Sequence, residues 1–147
     1  MRVIVNDEAL IKKGFSISTD KSLLDRAAIF NFLKHESYWS KNLTDEKLHK
    51  SIDHSLCFGV YKERETIGFC RVITDRANFA YICDVFILPS YRKLSLSKWM
   101  LQTVINHPDL QGLRRWMLAT ADAHGLYRQF GFTELSKPDT WMEIYRP

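Results

Sequence analysis

The period of the hydrophobic positions changes more than once along the chain. Phe15, Ile17 and Thr19 alternate with serines, the two-residue repeat of a half-buried strand. Asp20 stands where a helix cap belongs. Leu23, Leu24, Ala27, Phe30 and Leu33 follow at helical spacing and predict a helix running to about Glu36. After the connection SYWSKN, Thr44 with Asp45 and Glu46 opens a shorter helix packed through Leu48 and Ile52. From Ser55 the runs LCFGVYK, IGFCRVITD and FAYICDVFIL, joined by short charged links, predict three antiparallel strands. Residues 1–13 stay open: Val3 and Val5 alternate like a strand, while Asp7 to Lys13 reads equally as a turn of helix or a loose extension.

The third of those runs is cut off by Pro89 and Ser90. A basic loop, Tyr91 to Ser95, leads into a helix carrying Leu96, Trp99, Met100 and Val104 toward a core and stopping at His107-Pro108. Gly112 turns the chain into LRRWMLAT, a strand expected to lie parallel to the earlier one through a right-handed crossover. Asp122 is the expected cap of a helix over Ala123–Phe130, and Gly131 its terminator. Phe132–Leu135 and Trp141–Tyr145 read as two closing strands. The fold class is α/β (α+β), with a mixed central sheet of about six to seven strands, about four helices and a single domain over 1–147.

Composition narrows the classes. The 147 residues are enough for one core without a disulfide or metal staple. No apolar run approaches the ~20 residues of a membrane span, and the N-terminus lacks a secretory pattern, so a cytoplasmic protein without a membrane partner is expected. Cys57, Cys70 and Cys83 lie in strand-like runs without CxxC spacing and read as reduced core residues, and no metal site is expected. The net charge of +4 is dispersed, which argues against a nucleic-acid partner. GxSxG, GxxxxGK[ST] and GxGxxG motifs are absent.

The loop after Leu88 carries the candidate chemistry. Backbone N–H groups of the loop and the first helical turn, with Arg92, Lys93 and Lys98 beside them, suit a phosphate. The order of elements, the strand-Pro-x-Tyr-Arg-loop-helix and the closing LYRQFGF resemble the GNAT superfamily of N-acetyltransferases over about residues 14–147. Arg92, Ser95 and Ser97 occupy the places of its [RQ]-x-x-G-x-[GA] loop. Serine replaces the middle glycine, and Lys93 stands where a further glycine is common, so the residues that tolerate positive φ are missing.

The resemblance implies acetyl-CoA as cosubstrate and an amine of a small molecule or peptide as acceptor. Its pyrophosphate would lie on Arg92, Lys93, Leu94, Ser95, Leu96, Ser97 and Lys98, and its pantetheine arm along Val85, Phe86 and Ile87. Tyr127, four residues before Gly131, takes the place of the family's tyrosine acid, or else packs the helix on the sheet. For a base the candidates are Asp84, alternatively exposed or paired with Arg71 or with Arg114 or Arg115, and His124, alternatively a solvated first-turn histidine. Tyr38 and Trp39 fall in the region that walls the acceptor site in this superfamily, as lining or as loop anchors. A homodimer through an edge strand is expected by analogy, and a catalytically inactive GNAT-like acyl-CoA-binding or regulatory module is the alternative reading, for which the missing loop glycines speak.

Overall fold

The strands of the sheet succeed one another in chain order: β1 (Phe15–Ser18), β2 (Leu56–Lys62), β3 (Glu65–Thr74), β4 (Phe79–Ile87) and β5 (Arg115–Leu118). The first three pairings are antiparallel and β4 with β5 is parallel. This is a computed structural model, and it describes residues 5–147; Val3 lies outside them. The described residues also form five α-helices: α1 (Glu8–Lys12), α2 (Arg26–His35), α3 (Asp45–Asp53), α4 (Leu96–Ile105) and α5 (His124–Arg128).

Helices cover both faces of the sheet, which is why β2 and β3 are nearly continuous apolar runs rather than strict alternations. On one face α2 and α3 pack Ile29, Phe32, Leu33, Leu48 and Ile52 against Cys57, Phe69 and Phe86. On the other, Leu96, Trp99, Met100 and Val104 of α4 meet Phe58, Cys70, Val72 and Ile82, and Leu10 of α1 joins them. Fully burying each such side chain contributes about 1.5–3 kcal/mol. Residues 5–13 are tied down as well, since Val5 N–H donates to Gln102 Oε1 of α4 at 2.7 Å. Gly68 permits close approach of β3 and β4, because a Cβ there would lie 2.5 Å from Ile87 Cδ1 and 3.1 Å from the Phe86 carbonyl oxygen.

Several boundaries depart from the sequence reading. Asp20 caps only a 3-10 turn, Lys21–Leu23; Asp25 caps α2 by accepting from Ala28 N–H at 3.0 Å. The later start changes the phase of the helix, so Ile29, Phe32 and Leu33 form its buried face and Leu23 is exposed. Among the described residues the sheet has five strands rather than about six to seven, and there are five α-helices rather than about four. Phe132–Leu135 and Trp141–Tyr145 are not strands. Among the described residues no backbone hydrogen bond joins them to β5, and the Thr140 and Trp141 N–H groups donate back into the turn at Pro138. In WMEIY one phase is Met142 and Ile144 and the other puts Trp141 and Tyr145 beside Glu143, so the alternation does not single out one face. Met142 is 96% exposed and Ile144 81%.

Candidate functional site

A cleft of about 1100 Å³ opens where β4 and β5 part. Their parallel pairing ends at Ile82↔Leu118, so Cys83 to Ile87 continue without a β5 partner. The divergence has a local cause on β4. Its register against β3 slips between Phe69↔Phe86 and Arg71↔Cys83, and Asp84 within the bulge takes φ +54.

One end of the cleft is built from the loop before α4. Arg92, Lys93, Ser95, Leu96, Ser97 and Lys98 line it, together with Val85, Phe86 and Ile87; Leu94 is exposed and faces elsewhere. Lys93 (φ +65) and Ser95 (φ +66) are left-handed, the conformation glycine would adopt without strain. Arg92 fastens the loop to the strand, its Nε donating to the Ile87 carbonyl at 3.1 Å. Ser95 precedes α4 without capping it through its side chain, which leaves first-turn N–H groups for an outside acceptor. The helix dipole and three basic side chains make that acceptor an anion.

The other end comes from three separate segments: Glu36–Trp39, Tyr81–Asp84 and Ala119–Ala123. The Tyr38 hydroxyl accepts from Ala121 N–H at 3.0 Å, joining two of them, and its ring meets Trp39 edge-on at 4.9 Å. Asp84 is paired with Arg71, Nε to Oδ2 at 2.8 Å, with both side chains largely buried. Asp122 does not cap α5. Thr120 Oγ1 accepts from Ala123 N–H at 3.1 Å instead, and Asp122 lines the cleft.

Tyr127 reaches the cleft from α5, 8% exposed, with its ring edge-on to Phe132 at 5.9 Å. Burial pushes its phenol well above the ordinary tyrosine range, and the nearby Cys70, Tyr38 and Asp122 add to the rise. The group therefore keeps its proton at neutral pH. His124 is exposed and is not among the residues lining the cleft, so α5 does not bring it together with Tyr127. Cys83, on the cleft wall, is a thiol pushed up to about 12 by burial and then by Asp84. Among the described residues no group of three or more His, Cys, Asp or Glu side chains could hold a metal ion.

An uncapped helix end beside a strand divergence, with a protonated tyrosine across the opening, suits transfer of a group carried on an anionic handle. Residues 25–132 match the family model of the GNAT acetyltransferase family. The chain belongs to that family. It is 34% identical over 135 residues to a candidate acetyltransferase of Gibberella zeae, covering 77% of this chain and 75% of the relative. A crystal structure from Xanthomonas campestris pv. campestris, assigned to the GNAT family as a candidate acetyltransferase, is 47% identical and superposes with a TM-score of 0.89, covering 90% of this chain and 94% of that one. A candidate acetyltransferase from Clostridium acetobutylicum, solved with acetyl-CoA, shares the fold at 14% identity, with a TM-score of 0.57 over 89% of this chain and 94% of its own.

Within this GNAT chain the sequence pointed to most of the cleft: Asp84, Val85, Phe86, Ile87, Arg92, Lys93, Ser95, Leu96, Ser97, Lys98, Tyr127, Tyr38 and Trp39 all line it. Sequence reasoning missed Thr120 and Tyr145 as lining residues. Tyr145 arrives on the irregular C-terminal segment, alongside Trp141, which lies 4.9 Å from the Arg115 guanidinium. The exposed aromatic residues of that segment were the available signal, and reading them as a strand hid it.

Proposed function

We propose that the chain is an N-acetyltransferase moving acetyl from acetyl-CoA to a primary amine of a small molecule or peptide. The observation that carries this reading is the convergence of the uncapped α4 N-terminus, the divergence of β4 from β5 and the protonated Tyr127 on one cleft. Acetyl-CoA supplies an activated acyl thioester. The N–H groups of the first turn of α4, with Arg92, Lys93 and Lys98, bind its phosphates, and the unpaired backbone of Val85 to Ile87 receives the pantetheine arm as an added strand.

The amine nitrogen bonds to the thioester carbonyl carbon, and the carbon–sulfur bond breaks. The nitrogen loses one proton and the sulfur gains one, so the net reaction consumes none. Tyr127 is suited to relay that proton. A phenol with so high a pKa does not yield its proton outright to a thiolate whose conjugate acid lies near 8.5. It donates a hydrogen bond as negative charge builds on sulfur, and passes the proton on as the N–H proton replaces it. The reading without turnover drew on the missing loop glycines, yet Lys93 and Ser95 adopt the left-handed conformation regardless.

Calorimetric titration with acetyl-CoA, followed by thiol release in the presence of a primary-amine panel, tests the proposal. Micromolar binding weakened by Arg92→Ala, with amine-dependent thiol release, is the expected outcome. Binding without release for any amine supports the module without turnover, and failure to bind at millimolar acetyl-CoA removes the enzyme and leaves a GNAT-like module with another partner.

A further inference from the structure

Arg71 belongs to β3 and is not one of the cleft-lining residues, yet its guanidinium ends on one that is. Its Nε donates to Asp84 Oδ2 at 2.8 Å and its Nη1 donates to Ser55 Oγ at 3.2 Å, so two of its arms are fixed. Side-chain exposures are 16% for Arg71 and 12% for Asp84; in every other ion pair among the described residues at least one partner exceeds 40%. Asp84 sits in the bulge at φ +54, a conformation that a non-glycine residue keeps only where its surroundings over-determine it. Its Oδ1 has no partner among the described residues, although Asp84 lines the cleft beside the stretch that leaves β5.

We propose that Arg71 is a positioning residue for the acceptor amine: it clamps Asp84 in the left-handed bulge through Oδ2 and leaves Oδ1 to accept an N–H of the incoming amine. The inference rests on the acetyl-transfer reading and adds to it how the nucleophile is aimed. One N–H of the amine is held by a fixed oxygen, which restricts the directions its lone pair can take. The planar fork of arginine is needed for this, because it binds Asp84 and Ser55 at once, and a lysine ammonium lacks that geometry.

The test separates holding the sheet from aiming the amine. Arg71→Met and Asp84→Asn each strand a buried polar or charged partner and are expected to lower Tm; the double variant removes both charges and is expected to regain much of it. With n-butylamine, benzylamine and glycine amide as probes, the amine KM of the double variant is expected to stay raised about tenfold, far more than any change in acetyl-CoA Kd. Arg71→Lys falls between wild type and double variant. Ser55→Ala, which loosens Arg71 from outside the cleft, raises amine KM roughly two- to fivefold with the fold intact. Wild-type KM and kcat in the double variant, or in both Arg71→Lys and Ser55→Ala, would overturn the proposal while leaving acetyl transfer standing. A wild-type protein that neither binds acetyl-CoA nor acetylates any probe removes the acetyl-transfer reading itself, and the inference with it.

Discussion

The two ends of the cleft are built in opposite ways. The anion-binding end comes largely from one continuous stretch, Val85 to Lys98, in which a buried strand and a ten-residue helix fix the loop between them. The other end, where the proposal puts the amine acceptor, is gathered from three segments distant in sequence, and Tyr38 and Trp39 within it are half exposed. The first arrangement gives a rigid place for a handle common to many reactions. The second rests on loops that can change without disturbing the core, and there a choice among acceptors can be varied.

The sharpest way to test that contrast is to remove the hydroxyl that the proposal sets at the proton transfer between them. Tyr127→Phe keeps the ring that packs on Phe132 and deletes only the hydroxyl. It is expected to lower kcat by about 10²-fold or more with acetyl-CoA affinity retained, read by steady-state kinetics and calorimetry. Comparable losses of rate and cofactor binding would instead place Tyr127 among the structural residues.

Cutting the tie between the acceptor segments should act on that end alone. Tyr38→Phe removes the acceptor of the Ala121 N–H, a bond worth about 0.5–1.5 kcal/mol net. Amine KM should rise a few-fold while acetyl-CoA Kd does not move; equal changes in both would erase the distinction between the ends.

The anion-binding end can be sharpened instead of broken. Ser95→Gly places at φ +66 the residue that tolerates it, and should stabilise the protein by up to about 1 kcal/mol in denaturant unfolding. A loss of stability would mean that the serine side chain contributes more than its backbone strain costs.

The mildest test lies at the start of β4, away from the loop. The Asp75 carboxylate accepts N–H bonds from Asn78, Ala77 and Phe79, and these hold it well below the usual carboxylate range. Its folded pKa is below the unfolded value of about 3.9, so its stabilisation is full above that pH and lost as pH falls through the folded pKa. Asp75→Ala should therefore lower Tm at neutral pH, and the gap from wild type should narrow in acid. A gap constant with pH would show that the charge is not what matters.

Legibility in the sequence followed the same division. The strand, loop and helix from Phe79 to Ile105 could be read because proline, apolar runs and helical spacing all lie within one window. The left-handed Ser95 was legible as a missing glycine. The clamp on Asp84 appeared only as one of several possible arginine partners, because a pairing across a bulge depends on a register slip that no local pattern records. Asp122 was misread as a cap because α5 begins only at His124, with Ala123 before it and no side-chain cap. The chain end failed for a different reason. Alternation specifies a strand only when one phase is apolar and the other polar, and in WMEIY the aromatic Trp141 and Tyr145 share the phase of Glu143.

The chain-order sheet carries a consequence for how the molecule assembles. Only residues 63–64 separate β2 from β3, and only 75–78 separate β3 from β4, whereas β5 must return across residues 88–114. Closing a longer loop costs more entropy before any contact rewards it, so the hairpins of β2, β3 and β4 are expected to zip first, and β5, like β1 across residues 19–55, to dock later. Truncating Val72 on the central strand should slow refolding, whereas truncating Leu118 should mainly hasten unfolding. The gap between β4 and β5 is then a late event on the folding route, and the protein gains its cleft only after most of its core is in place.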